Sequence, residues 1–192
     1  MNKEIERKWL FRDSSVPEDL DAFNSMIVEQ TYISVEPEVR LRKCMTKDKN
    51  FVECTITFKS NGTLVRGEEE IVVSEDTYNN LIEMYNLEHK IIRKAFSEYH
   101  IGLHILQLGD VYNDDGTVDF SYGEVEFNNE QEAQAFTVPG WFGKEVTSDN
   151  SYKMKNYWKR RYAETGSTIP QPKNNNRPAP NVWDVSTKTF GN

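Results

Sequence analysis

Charged residues recur at alternate positions in five stretches of the chain: Glu4, Glu6 and Lys8; Arg40 and Arg42; Glu53 and Lys59 with Thr55 and Thr57 between; Arg66, Glu68 and Glu70; Glu124 and Glu126. Between them stand apolar residues such as Ile5 and Trp9, Val39 and Leu41, Cys54, Ile56 and Phe58, and Val125 and Phe127. A period of two is that of a β-strand, so each stretch has one apolar face and one charged face. A single such strand reads as part of a sheet with one wet side. The set reads differently, because its charged faces collect carboxylates (Glu4, Glu6, Glu68, Glu124, Glu126) and cations (Lys8, Arg40, Arg42, Lys59, Arg66) together. On one surface, those cations hold a polyanion and those carboxylates hold a divalent metal. An all-oxygen donor set selects Mg²⁺ or Mn²⁺ over zinc or copper.

To bring these faces together the sheet must close on itself, with the charges lining a lumen and helices covering the apolar outside. The expected class is α+β: an antiparallel, closed β-barrel with helices inserted between hairpins. Thr46–Asn50 is a polar turn between two strands. For Arg40 and Arg42 to share a face with Lys59, Arg42 must lie opposite Thr55 or Thr57. That register puts Cys44 and Cys54 on opposite faces, which argues against a disulfide between them. Arg7 and Glu69 have the wrong parity and face outward. Helices are expected from Pro17, with Leu20, Phe23 and Ile27 on one face; after Ser74, with Tyr78, Leu81, Met84 and Tyr85 as the stripe; over 130–136; and over 150–162. On the last helix Lys153, Lys155, Lys159, Arg160 and Arg161 read as a solvated face, and Trp141 and Trp158 as packing residues.

The 192 residues carry 23 Lys+Arg and 31 Asp+Glu, a net charge of −8. That balance disfavours a duplex-DNA binder, whose affinity comes from cations on phosphates. No apolar run approaches the ~18–20 residues of a membrane-spanning helix, and no signal-peptide pattern opens the chain, so the expectation is a cytoplasmic protein. Two cysteines and three scattered histidines make neither a disulfide framework nor a zinc site. Residues 1–162 form the expected domain. From Ala163 the chain changes to a Pro- and Asn-rich stretch with Pro170, Pro172, Pro178 and Pro180, an extended tail that either clasps a second subunit in a homodimer or stays mobile.

In order, these motifs resemble the CYTH, or triphosphate tunnel metalloenzyme, superfamily. Glu4-Ile5-Glu6-Arg7-Lys8 is similar to its ExExK strand, Gln30-Thr31-Tyr32 to QxY, Val39-Arg40-Leu41-Arg42 to xRLR, and Thr57-Phe58-Lys59 to the lysine strand. Arg66-Gly67-Glu68-Glu69-Glu70 resembles RxExE, Gly123-Glu124-Val125-Glu126 the late ExE, and 139–147 the P-x-W-[LF]-G-x-E-V-T segment. The resemblance implies an eight-stranded tunnel that binds a triphosphate-bearing small molecule and a metal and hydrolyses it. It implies Lys8, Arg40, Arg42, Lys59, Arg66 and Arg93 on the phosphates, and Glu4, Glu6, Glu68, Asp110, Glu124, Glu126 and Glu145 on Mg²⁺ or Mn²⁺, with Glu4, Glu6 and Lys8 at the chemistry. A cyclase acting on ATP and a non-catalytic polyphosphate or nucleotide binder are the alternatives on the same fold. One departure stands out: the family's K-x-R strand falls on His89–Phe96, where Arg93 takes the first place, Ala95 empties the second, and Lys90 or Lys94 substitutes only with a change of register.

Overall fold

In the computed structural model, residues 2–11, 16–48, 50–61 and 64–162 are described, so the stretch from Ala163 onward and Ser15 lie outside the account. The alternating pattern is realised as eight antiparallel strands: β1 (Asn2–Phe11), β2 (Asn24–Val35), β3 (Glu38–Met45), β4 (Val52–Lys59), β5 (Val65–Val73), β6 (Ile92–Ile101), β7 (His104–Tyr112) and β8 (Val118–Glu126). They close in the order β1-β5-β4-β3-β2-β6-β7-β8. Closure falls on β1, whose residues 2–5 pair with β5 and 6–11 with β8. Arg42 lies opposite Thr55 and Arg40 opposite Thr57, the register the parity argument requires. Cys44 and Cys54 are both free; Cys44 lines the lumen, and Cys54 packs with Leu41, Tyr78 and Ile82 on the outer side.

The helices are α1 (Glu75–Met84), α2 (Glu130–Ala135) and α3 (Met154–Tyr162), with a single 3₁₀ turn at Asn150–Tyr152. Ser74 caps α1, its side chain accepting from the Thr77 amide. α1 buries Tyr78 and Ile82 against Leu41 and Cys54. Met84 and Tyr85, expected in its stripe, are 69 % and 48 % exposed, because the helix ends there and turns its last residues to solvent. On the opposite wall Ile5, Trp9, Phe11, Leu106, Val125 and Phe127 pack with Ala133 of α2, joined by Phe136, Trp141 and Phe142. Burial of each large side chain there stabilises by about 1.5–3 kcal/mol.

The expected helix from Pro17 does not form. Residues 16–23 make turns, with the Leu20 amide donating to Pro17 O at 3.0 Å, and Ile27 lies within β2. Asp19, Asp21, Asn24 and Ser25 compete for backbone hydrogen bonds and weaken a helix there, whereas Met26-Ile27-Val28 fits a strand paired on both sides.

Between α2 and α3 the chain returns along β1. The Leu10 amide donates to Lys144 O at 2.8 Å and the Val146 amide to Lys8 O at 2.8 Å, extending the sheet over the part of β1 that β5 leaves. Gly143 makes this approach possible: a Cβ there would stand 1.9 Å from Leu10 O. α3 then lies across one end of the barrel. Its Tyr157 packs with Ile92, Val111, Phe120 and Tyr122, its Arg161 donates to Tyr112 O at 2.7 Å, and the Trp158 indole donates to Lys90 O at 2.6 Å. No helix among the described residues is long and apolar enough to cross a membrane.

Candidate active site

The barrel encloses a cavity of about 600 Å³. Lining it are the side chains that parity turns inward: Glu4, Glu6 and Lys8 from β1; Arg40 and Arg42 from β3; Lys59 from β4; Arg66 and Glu68 from β5; Glu124 and Glu126 from β8. Every one of these was expected from the strand pattern. Cations and carboxylates interlock. Arg66 pairs with Glu4 at 2.5 Å and Glu6 at 2.8 Å. Lys59 pairs with Glu4 at 2.9 Å and Glu68 at 3.0 Å. Lys8 Nζ lies 2.6 Å from Glu124 Oε1 and 4.5 Å from the centre of the Tyr122 ring. Glu70 joins the set, accepting from the Thr57 hydroxyl at 2.7 Å and facing Arg40 at 3.5 Å and Arg42 at 3.9 Å.

Electrostatics separates the carboxylates. Burial opposes ionisation of Glu4, but Lys59 and Arg66 outweigh it and hold its pKa at about 2. Glu6 goes the other way: burial and the neighbouring Glu124 outweigh Arg66 and raise it to about 7. Glu126 is raised by burial and by Glu4 and Glu124, while Glu124 is held down against burial by Lys8. Glu4, Glu6 and Glu126 each present an oxygen within 4.8 Å of the others. Three hard oxygens this close, two of them (Glu6 and Glu126) resisting charge because of burial and the neighbouring Glu124 and Glu4, fit a divalent cation that would offset the repulsion.

Three expected residues lie elsewhere. Arg93 faces outward, 3.5 Å from Glu29, and its neighbour Lys94 takes the inward place. β6 pairs Lys94 with Val28, so Ile92, Lys94 and Phe96 turn in while Arg93 and Ala95 turn out. An aromatic ring, rather than a vacant position at Ala95, therefore follows the lysine. Asp110 stands on the outer face, where the Ser121 hydroxyl donates to it at 2.5 Å; Gly109 is the residue that faces the lumen. Glu145 also lies outside, in a two-pronged pair with Arg7 at 2.7 and 2.9 Å, because the return segment runs along the outside edge of β1.

The sequence pattern admitted Lys94 to the lumen only with a change of register, and left Lys153 and Lys155 out of it. Lys94 is buried and donates to Gln30 Oε1 at 2.9 Å and to the Tyr122 hydroxyl at 3.2 Å, while Gln30 donates to the Tyr32 hydroxyl at 2.7 Å. Burial, with Arg42, Arg40 and Lys8 nearby, depresses Lys94 to about 7. Lys153 and Lys155, expected on a solvated helix face, line the cavity instead, Lys155 at 3.3 Å from Glu38. They precede or open α3, where the 3₁₀ turn swings over the barrel end. The signal was their alternate spacing, which is not helical.

A closed antiparallel barrel with interlocked cations and carboxylates inside is a charged-lumen tunnel, and the comparisons agree with that class. The chain is 33 % identical over 156 residues to the inorganic triphosphatase of Nitrosomonas europaea, covering 79 % of this chain and 94 % of that protein. The crystal structure of the inorganic triphosphatase NE1496 superposes with a TM-score of 0.55 at 28 % identity, over 82 % of this chain and 95 % of that one. A second crystal structure of NE1496 gives a TM-score of 0.54, also at 28 % identity, over 80 % and 96 %. No protein-family model matches the chain. The chain belongs to the CYTH, or triphosphate tunnel metalloenzyme, superfamily.

Proposed function

We propose that this protein is a metal-dependent triphosphatase that hydrolyses a phosphoanhydride bond of a triphosphate-bearing substrate inside the tunnel. The observation that carries this reading is the carboxylate triad Glu4, Glu6 and Glu126 set directly against the cations Arg66 and Lys59. The relationship to an inorganic triphosphatase supports the same reaction class.

In the ligand-free lumen Arg40, Arg42, Lys59 and Arg66 are each paired with a carboxylate, so the phosphate chain enters by exchange, its oxygens taking the place of those carboxylates. Arg40 is held for this by Thr57 at 3.0 Å and Lys59 by Glu68, so the cradle is oriented before substrate arrives. Glu4, Glu6 and Glu126 would hold Mg²⁺ or Mn²⁺, which would supply neutralisation of phosphate charge and acidification of water there. In the reaction, water adds to a phosphorus while the opposite P–O anhydride bond breaks, the shortened phosphate chain leaves with the electron pair, and one proton is released. Lys8, anchored by Glu124 and by Tyr152 O at 3.3 Å, places a fixed positive charge beside the triad. The α3 cap and the Tyr157 cluster close one end and limit water. Free Cys44 and Cys54 support a reducing compartment, the cytoplasm.

The test is phosphate release from inorganic and nucleoside triphosphates with Mg²⁺ and with Mn²⁺, run beside Glu6→Gln. Release that needs metal and is lost in the variant is the expected result. Cyclic nucleotide from ATP, or tight binding without product over hours, would overturn the hydrolase reading.

A further inference from the structure

Tyr122 stands among the lumen cations with a proton to give. Its side chain lines the cavity and is 5 % exposed. From β8 it leans across β7, where Gly109 lies opposite it; a Cβ at Gly109 would stand 3.3 Å from Cζ of the ring and 3.5 Å from the hydroxyl oxygen. Glycine thus leaves the ring room to cross β7 and reach β6, where its hydroxyl accepts from Lys94 Nζ at 3.2 Å. On the other side Lys8 of β1 sets its Nζ 4.5 Å from the ring centre, a cation–π contact. Contacts from β1 and from β6 fix the ring in place.

The direction of the Lys94 bond decides what the phenol can do. Beside a bound phosphate chain Lys94 is an ammonium, with three donors and no acceptor, so it gives to the Tyr122 oxygen and takes nothing back. It also donates to Gln30 Oε1 at 2.9 Å, which ties its Nζ to the wall. The Tyr122 proton must find another acceptor, and among the described residues the hydroxyl has no hydrogen bond besides that from Lys94. β7 fills the space under the ring, which leaves the lumen as the side open to the proton. Buried donors are nearly always satisfied, and a phosphate oxygen satisfies this one. Arg40, Arg42 and Lys8 all raise the positive potential around Lys94, so an anion is drawn to that spot. A phenol, with an ordinary pKa of about 10, keeps its proton at neutral pH and donates as a neutral group.

We propose that Tyr122 is a further substrate-binding residue of this tunnel, its hydroxyl turned by Lys94 to donate to a phosphate oxygen of the substrate. The proposal rests on the triphosphatase reading above and adds a neutral donor of fixed direction to its cations.

Steady-state kinetics of the full chain with Mg²⁺ and inorganic triphosphate test it. Tyr122→Phe deletes the hydroxyl and keeps the ring over Gly109 and beside Lys8. Its kcat/KM is expected to fall about tenfold or more, the scale of a hydrogen bond to a charged group, chiefly through KM. KM is indifferent to the fraction of variant that folds. In the Lys94→Met background the same change should still raise KM at least about threefold, because the hydroxyl itself touches substrate. A loss that vanishes in that background makes the hydroxyl a support for Lys94 alone and overturns the donor assignment. Gly109→Ala presses the ring away from Lys94 and carries the test should Tyr122→Phe fold poorly; its KM should rise at least about threefold. KM within about twofold of wild type in both Tyr122→Phe and Gly109→Ala overturns the proposal and leaves the triphosphatase reading intact. If the wild type releases no phosphate, that reading has failed and calorimetry with inorganic triphosphate decides: affinity weakened about tenfold by Tyr122→Phe supports the donor, and unchanged affinity overturns it.

Discussion

Lys59 Nζ lies 2.9 Å from Glu4 Oε1, an ion pair that joins β4 to β1 across the intervening β5. Both side chains are largely buried, at 3 % and 11 % exposure, and Glu4 also holds Arg66. Breaking a buried pair strands a charge and costs about 3–5 kcal/mol; the remaining Arg66 moves this case to the low end. Lys59→Met is expected to lower stability to urea by about 3 kcal/mol. In Glu4→Gln/Lys59→Met, stability recovers in part and phosphate release does not. Recovery of both would mean that the pair is structural only.

Metal affinity should depend on Glu6. In the metal-free protein its carboxyl is raised to about 7, so below that pH a divalent ion must displace a proton, and above it need not. Affinity for Mn²⁺ is therefore expected to rise as pH increases through 7, with proton release on binding near neutrality. Calorimetry in buffers of different ionisation enthalpy measures both. In Glu6→Gln the pH dependence over this range should flatten and affinity fall by tenfold or more, as for loss of a direct ligand.

Lys94 and Arg93 make a matched pair of tests on adjacent residues. Lys94→Ala removes a buried cation bonded to Gln30 and Tyr122 and should reduce turnover of triphosphate at least tenfold; Arg93→Ala, on the outer face, should change it less than twofold. Stability of the metal-free protein adds a sign. The folded pKa of Lys94 is about 7 and its ordinary value 10.5, so between these the unfolded chain binds more protons, and this residue makes stability rise with pH. Denaturation from pH 7 to 10 should show that rise in the wild type and a smaller one in Lys94→Met.

Glu145→Gln and Asp110→Asn serve as controls on the metal assignment. Both carboxylates stand outside the lumen, one on Arg7 and one on Ser121, so neither change should shift Mn²⁺ affinity by more than twofold. Glu145→Gln loosens the return segment and is expected to destabilise by up to about 1 kcal/mol, the scale of a half-exposed pair. A tenfold loss of metal binding in either variant would reassign the metal ligands.

The amino-acid sequence by itself determined the five charged strands β1, β3, β4, β5 and β8 and which face of each carries charge. A period of two is a local property, and the apolar positions Ile5, Leu41, Ile56 and Val125 leave no choice of face for the residues between them. That was enough for ten lumen residues and for the Arg42–Thr55 register. Tertiary structure decided what local pattern leaves degenerate. At Arg93–Lys94 and at Gly109–Asp110 two adjacent residues offer the same chemistry or none, and a slip of one residue exchanges the faces; only pairing with β2 and β8 sets the phase. Residues 17–27 fit a helical spacing, but closing the barrel requires a strand there, and the bonds on both edges of β2 outweigh the propensity. Glu145 and Lys153 lie outside the eight strands, and their positions follow from how the chain after β8 wraps β1 and caps the barrel end, a long-range packing outcome that no spacing within those segments encodes.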